Sequence, residues 1–79
     1  MSDNEEQRIL FAKKTLGAKI HNQTVLLRRY ARHSEKARIN DELLHMIASE
    51  KKIETSSSID EIMGHEGIAA RYYFKGLSK

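Results

Sequence analysis

Glu66 is the residue in this chain whose position asks for chemistry. It lies in "GHEGIAARYYF", residues 64–74, between Gly64 and Gly67 and just ahead of Ile68, Ala69 and Ala70. On a helical wheel at about 100° per residue, Ile59, Ile62, Ala70, Tyr73 and Leu77 all fall within about 40° of it. A carboxylate in the middle of an apolar stripe is costly unless something compensates it. An arginine or lysine of another helix could pair with it, it could protonate, or it could bind a divalent cation with further ligands and water. A twist of the helix could also carry it to solvent. Gly64 and Gly67 lower helix stability relative to alanine. They leave one flank of Glu66 bare, open to another helix or to a nucleic-acid strand.

Other chemistry-bearing residues are sparser. His65 precedes Glu66, but the second histidine of a zinc-protease H-E-x-x-H motif is missing. His21, His33 and His45 are dispersed. The sequence has no glycine-rich phosphate loop and no serine or threonine in a recognisable nucleophile setting. Residues 28–38, "RRYARHSEKAR", hold Arg28, Arg29, Arg32, Lys36 and Arg38 against the single acid Glu35. Such a cluster suits DNA phosphates, although a charge run is also an ordinary solvated face. Tyr30 within it could stack on a base or pack into a core.

These residues need elements to hold them, and the pattern is helical throughout. The 79 residues make one small domain, with no proline to break helices. The spacing predicts an all-α fold of three helices near 6–33, 35–52 and 59–76, within a single domain 6–79 that follows a frayed, disordered stretch 1–5. Ile9, Leu16, Ile20, Gln23, Leu27 and Tyr30 share one face of the first helix. Ile39, Leu43, Leu44, Ile47 and Ala48 form the stripe of the second, with Met46 at its edge and Ser34 as its expected N-cap. "ETSSS", residues 54–58, reads as the linker, and Ser58 with Glu61 reads as a capping box for the third helix. Gly76 is the expected C-terminal stop. The expected core is Leu16, Ile20, Leu27, Leu43, Ile47, Ile62, Ala70 and Tyr73. A core this small invites completion by a partner or a self-dimer.

Composition excludes several classes. Without cysteine there is no thiolate metal site and no disulfide framework, which agrees with a cytoplasmic protein. No apolar run approaches the ~20 residues of a membrane span, so no membrane partner is expected. The acidic start "MSDNEEQR" is not a signal peptide. The net charge of +3 is mildly basic.

Two stretches together carry a resemblance. "AKIHNQTVLLRRYAR", residues 18–32, and "IDEIMGHEGIAARYYFKGL", residues 59–77, resemble the CRISPR-associated spacer-acquisition endonuclease, the integrase of CRISPR adaptation. The family's K-I-x-N-Q-x-x-L-L helix is met by Lys19, Ile20, Asn22, Gln23, Leu26 and Leu27. Its G-x-E-G-x-A-A-x-x-Y-F helix is met by Gly64, Glu66, Gly67, Ala69, Ala70, Tyr73 and Phe74. The match runs over about residues 8–77. It implies an antiviral-defence enzyme that cuts and joins DNA with Mg2+ or Mn2+, and it implies that Glu66 is one of three metal ligands. The family's other two ligands, a histidine and an aspartate, lie further downstream, and its amino-terminal β-rich domain has no counterpart here. The resemblance therefore implies a segment of the integrase, inactive alone, whose partners are DNA and either the remaining domains or a second copy. The alternative is a stand-alone helical module that binds DNA or protein without catalysis. A purely structural helical oligomer is a third expectation.

Overall fold

A computed structural model describes residues 3–34 and 38–79. Three helices form an all-α bundle: α1 (Asp3–Ser34), α2 (Asn40–Glu54) and α3 (Ile59–Leu77). Among the described residues there is no strand. No helix there is long and apolar enough to cross a membrane. Contacts at three levels fix the arrangement. Lys13 Nζ donates to the Glu54 carbonyl across α1 and α2. Lys19 meets Glu66 across α1 and α3, and Tyr30 donates to the Leu77 carbonyl. Residue numbers on α1 and α3 therefore rise together, so these two helices run parallel, while α2 runs antiparallel to both.

The buried residues follow a strict sevenfold spacing. Ile20 and Leu27, then Ile39, Met46 and Ile53, then Ile62, Ala69 and Gly76, are each seven positions apart and all buried. A seven-residue repeat keeps one seam of each helix inward, as in coiled-coil packing. Around this seam Ile9, Ala12, Leu16, Ala31, Leu43, Tyr72, Tyr73 and Leu77 pack half-buried.

The seam corrects the expected stripe of α2. Met46 is at its centre, whereas Leu44 and Ala48 are exposed and Ile47 is half-buried. Like each helix of the bundle, α2 faces two neighbours, and its 39–46–53 repeat is the one buried between them. Its flanking positions, Glu42 and Ser49, are polar yet buried, so hydrophobicity alone pointed to the wrong side. In α3, Ala69 takes the fully buried place expected for Ala70, because 62–69–76 is the inward register.

The helix ends also differ from expectation. Residues Asp3–Glu5, expected to be frayed, belong to α1. Glu5 and Glu6 near the helix start favour this, since acids meet the positive end of the helix dipole. Ser34 does not cap α2 but ends α1, whose last turn carries Arg32 and His33 against the negative end of its dipole. The N-cap of α2 is Ile39, with no side-chain cap, and Asp41 and Glu42 fill the first turn. α2 runs on to Glu54, the first residue of the expected linker. At α3, Ser58 Oγ accepts from Glu61 N at 3.1 Å. Glu61 Oε1 reaches one residue further back than the expected box, accepting from Ser57 N at 2.8 Å. That bond, first among several, lowers the Glu61 carboxyl below its usual range.

Gly76 is not a stop. It lies inside α3, and Ser78 is the C-cap in a right-handed conformation. A Cβ at position 76 would sit 2.7 Å from Leu27 Cδ2. Glycine is needed here because Leu27 fills the space where a side chain would stand.

Candidate site at Glu66

Glu66 is positioned by the i±3 and i±4 neighbours that bury its helix. Ile62 and Ala69 hold α3 against α1, and Glu66 lies on the α1 side of that seam. Its carboxylate is 18% exposed and meets Lys19 Nζ at 2.9 Å, with Lys19 itself 51% exposed. Of the resolutions the sequence left open, the structure therefore has the ion pair. The lysine comes from the first motif and the glutamate from the second, so the parallel packing of α1 and α3 joins the two motifs in space.

The pair sits at a rim rather than in the interior, and this sets its worth. An ion pair half open to water contributes about 0–1 kcal/mol. Glu66→Ala is accordingly expected to change the unfolding free energy by less than about 1 kcal/mol, with alanine's helix propensity offsetting part of the loss. Chemical denaturation of the two proteins checks this; a loss several times larger would place the carboxylate in the true interior.

The remaining residues of the two motifs divide cleanly. Asn22 is exposed. Gln23 is half-buried, and its Oε1 is buried with no hydrogen-bond partner among the described residues. Gly64 and Gly67 are exposed, and a Cβ added at either would find nothing within 4 Å. Tyr73 packs on the core with its ring 5.4 Å from that of Phe74.

The basic residues are placed separately from Glu66. Arg28, Arg29 and Arg32 are exposed on the last turns of α1, and Arg38 is exposed ahead of α2. None of them takes part in an ion pair among the described residues. The Arg38 carbonyl accepts from Lys79 Nζ at 2.8 Å. Lys36 lies outside the described residues. Tyr30 is 38% exposed, and its hydroxyl donates to the Leu77 carbonyl of α3.

One charged group was missed by sequence reasoning. Glu42 is buried, 2% exposed, and its Oε2 meets Lys79 Nζ at 2.9 Å. Its Oε1 has no hydrogen-bond partner among the described residues. The Lys79 hydrogen bond lowers its carboxyl below the usual value, against the opposing pull of desolvation. The available signal was its place in the sevenfold register, three after Ile39 and four before Met46. The histidines do not converge: His45 stacks on Tyr72 at 4.2 Å and donates from Nδ1 to the Asp41 carbonyl, while His21 lies 3.7 Å from Glu50.

Among the described residues, no group of three or more His, Cys, Asp or Glu side chains could hold a metal ion. Glu66 offers one carboxylate with an ammonium already on it. Magnesium requires a near-octahedral oxygen shell, and these residues do not supply it by themselves.

The described residues thus define a three-helix parallel–antiparallel bundle that carries a motif carboxylate, Glu66, paired with Lys19. The family model for the CRISPR associated protein Cas1 matches residues 1–79, and the chain belongs to that family. The comparisons with curated proteins and with solved structures each found no match.

Proposed function

We propose that this chain serves spacer acquisition in antiviral defence by contributing one helical segment, with Glu66, to a DNA-cutting and DNA-joining enzyme. In this reading Glu66 is one ligand of a Mg2+ or Mn2+ ion, and the other ligands come from elsewhere in the enzyme. The observation that supports it most is the placement of Glu66. It stands at the rim of the α1–α3 seam, held by a lysine whose side chain is half exposed. A half-exposed ion pair contributes only about 0–1 kcal/mol, so exchanging the lysine for another cation at Glu66 would cost the bundle little. The chain incubated alone with DNA and either metal is expected to leave the DNA intact. Metal-dependent cleavage by the pure chain would refute the single-ligand reading.

A second reading, DNA binding without catalysis, is favoured by one observation: Arg28, Arg29, Arg32 and Arg38 are all exposed and unengaged by acids among the described residues. If these side chains meet phosphates, affinity should fall steeply between about 50 and 200 mM salt, with a log–log slope near the number of phosphates neutralised. Replacing Arg28 and Arg29 by glutamine should weaken binding to all sequences alike. Fluorescence anisotropy with a labelled duplex reads both effects. An affinity indifferent to salt, or to the two arginines, would leave this stretch as a solvated face.

A further inference from the structure

The end of α3 is tied to both halves of the basic stretch 28–38. Because α1 and α3 run parallel and α2 antiparallel, the last turns of α1 and α3 and the first turn of α2 gather at one end of the bundle. There Tyr30 Oη donates to the Leu77 carbonyl at 3.2 Å. Lys79 Nζ donates to the Arg38 carbonyl at 2.8 Å and to Glu42 Oε2 at 2.9 Å. One ammonium thus joins the end of α3, the backbone just before α2 and a carboxylate in the first turn of α2. Glu42 is what keeps it there. That carboxylate is 2% exposed and fixed by packing, whereas a lysine side chain 39% exposed has rotamer freedom to lose in holding one place. The side chains of Arg28, Arg29, Arg32 and Arg38 are exposed at the same end. A donor already held in position loses less entropy when it meets a phosphate.

We propose that Glu42 and Lys79 are positioning residues for phosphate binding. Glu42 anchors the Lys79 ammonium, and the ammonium sets the backbone at Arg38. The Arg38 guanidinium then acts together with those of Arg28, Arg29 and Arg32 on one nucleic-acid backbone. Neither Glu42 nor Lys79 touches a phosphate. The proposal rests on the DNA-binding reading above and adds to it two residues outside the basic stretch. Position and charge make opposite demands on Glu42. By charge alone, a carboxylate among cations weakens phosphate binding, and removing it frees Lys79 as one more cation. As an anchor, the same carboxylate strengthens binding although its sign is wrong for DNA.

Fluorescence anisotropy with a labelled duplex, repeated over a range of salt, tests it on the full chain. Glu42→Leu puts an apolar side chain of similar volume in the buried place and lets Lys79 return to water, so the bundle keeps its fold; urea unfolding checks that. This variant is expected to bind DNA more weakly than the wild type although its net charge is higher by one. Its salt slope should fall by about one, the share of a single misplaced phosphate contact. The double variant Glu42→Leu/Lys79→Met strands no charge and should bind no better. Lys79→Arg, which can still donate both bonds, should keep the wild-type affinity and slope. Binding by Glu42→Leu that is unchanged or tighter overturns the proposal alone, and so does a Lys79→Arg variant as weak as the double. A wild-type chain with no salt-dependent binding overturns the DNA-binding reading and the proposal with it.

Discussion

Leu27→Ala is expected to lower the unfolding free energy by roughly 2–5 kcal/mol, the range for truncating a fully buried leucine. A chain of this length has on the order of 4–12 kcal/mol in all, so the variant should lose much of its cooperative thermal transition. The site explains the size of the effect. Leu27 is wholly buried and its methyls occupy the place a Cβ of residue 76 would take. Nothing at the facing position can swing in to fill the void, because glycine has no side chain to move. The two positions should therefore be coupled. Gly76→Ala alone gains up to about 1 kcal/mol of helix propensity but overpacks the seam at about 1–3 kcal/mol, a net loss. In the Leu27→Ala background the same alanine has room, and it should recover part of the stability. A double-mutant cycle by urea unfolding measures this coupling directly. Additive effects would mean that the two residues do not share the space.

Lys79→Met should strand the buried Glu42 carboxylate. Removing one partner of a fully buried pair costs about 3–5 kcal/mol. Lys79 is 39% exposed, and water reaching its ammonium reduces the expected loss to roughly 1–3 kcal/mol. The pH dependence gives the sharper signature. The folded carboxyl of Glu42 is held below its ordinary 4.5, chiefly by the Lys79 hydrogen bond. A carboxyl with a lower value folded than unfolded binds fewer protons when folded. Its contribution is therefore complete above about 4.5 and disappears as the pH falls through the folded value. The melting temperature of the wild type should drop on acidification below that point. The gap between wild type and Lys79→Met should be widest at neutral pH and close in acid. A gap that stays constant with pH would show that Lys79 stabilises by packing alone.

Much of the fold was legible because helices signal themselves by period. Proline is absent, "ETSSS" and Ser58 separate two strongly periodic segments, and Ile20, Leu27 and Ile62 stand where their stripes placed them. The inward side of α2 was not legible, for a physical reason. A helix packed on two neighbours buries a broad arc, and a buried Glu42 and Ser49 look like surface until their partner and neighbours are known. Met46 and Ile53 became readable only through the repeat they share with Ile39. The start of α2 was misread because Ser34 has a good capping side chain, whereas α2 begins at Asn40 behind Ile39, which offers no side-chain cap for a sequence reading to find. At Glu66 the sequence identified the odd carboxylate but not its partner. Lys19 is 47 positions away, and only the parallel setting of α1 on α3 brings them to 2.9 Å.

Glu66 is the one carboxylate that, in the proposed function, this chain brings to a shared metal site. The direct measurement is DNA cleavage and joining in Mg2+ or Mn2+ after this chain is combined with the remaining domains of a Cas1 integrase that lacks the corresponding segment. Activity is expected with the wild-type chain and none with Glu66→Ala, although both variants fold with nearly equal stability. Activity that survives Glu66→Ala would contradict this role, and so would cleavage by this chain on its own.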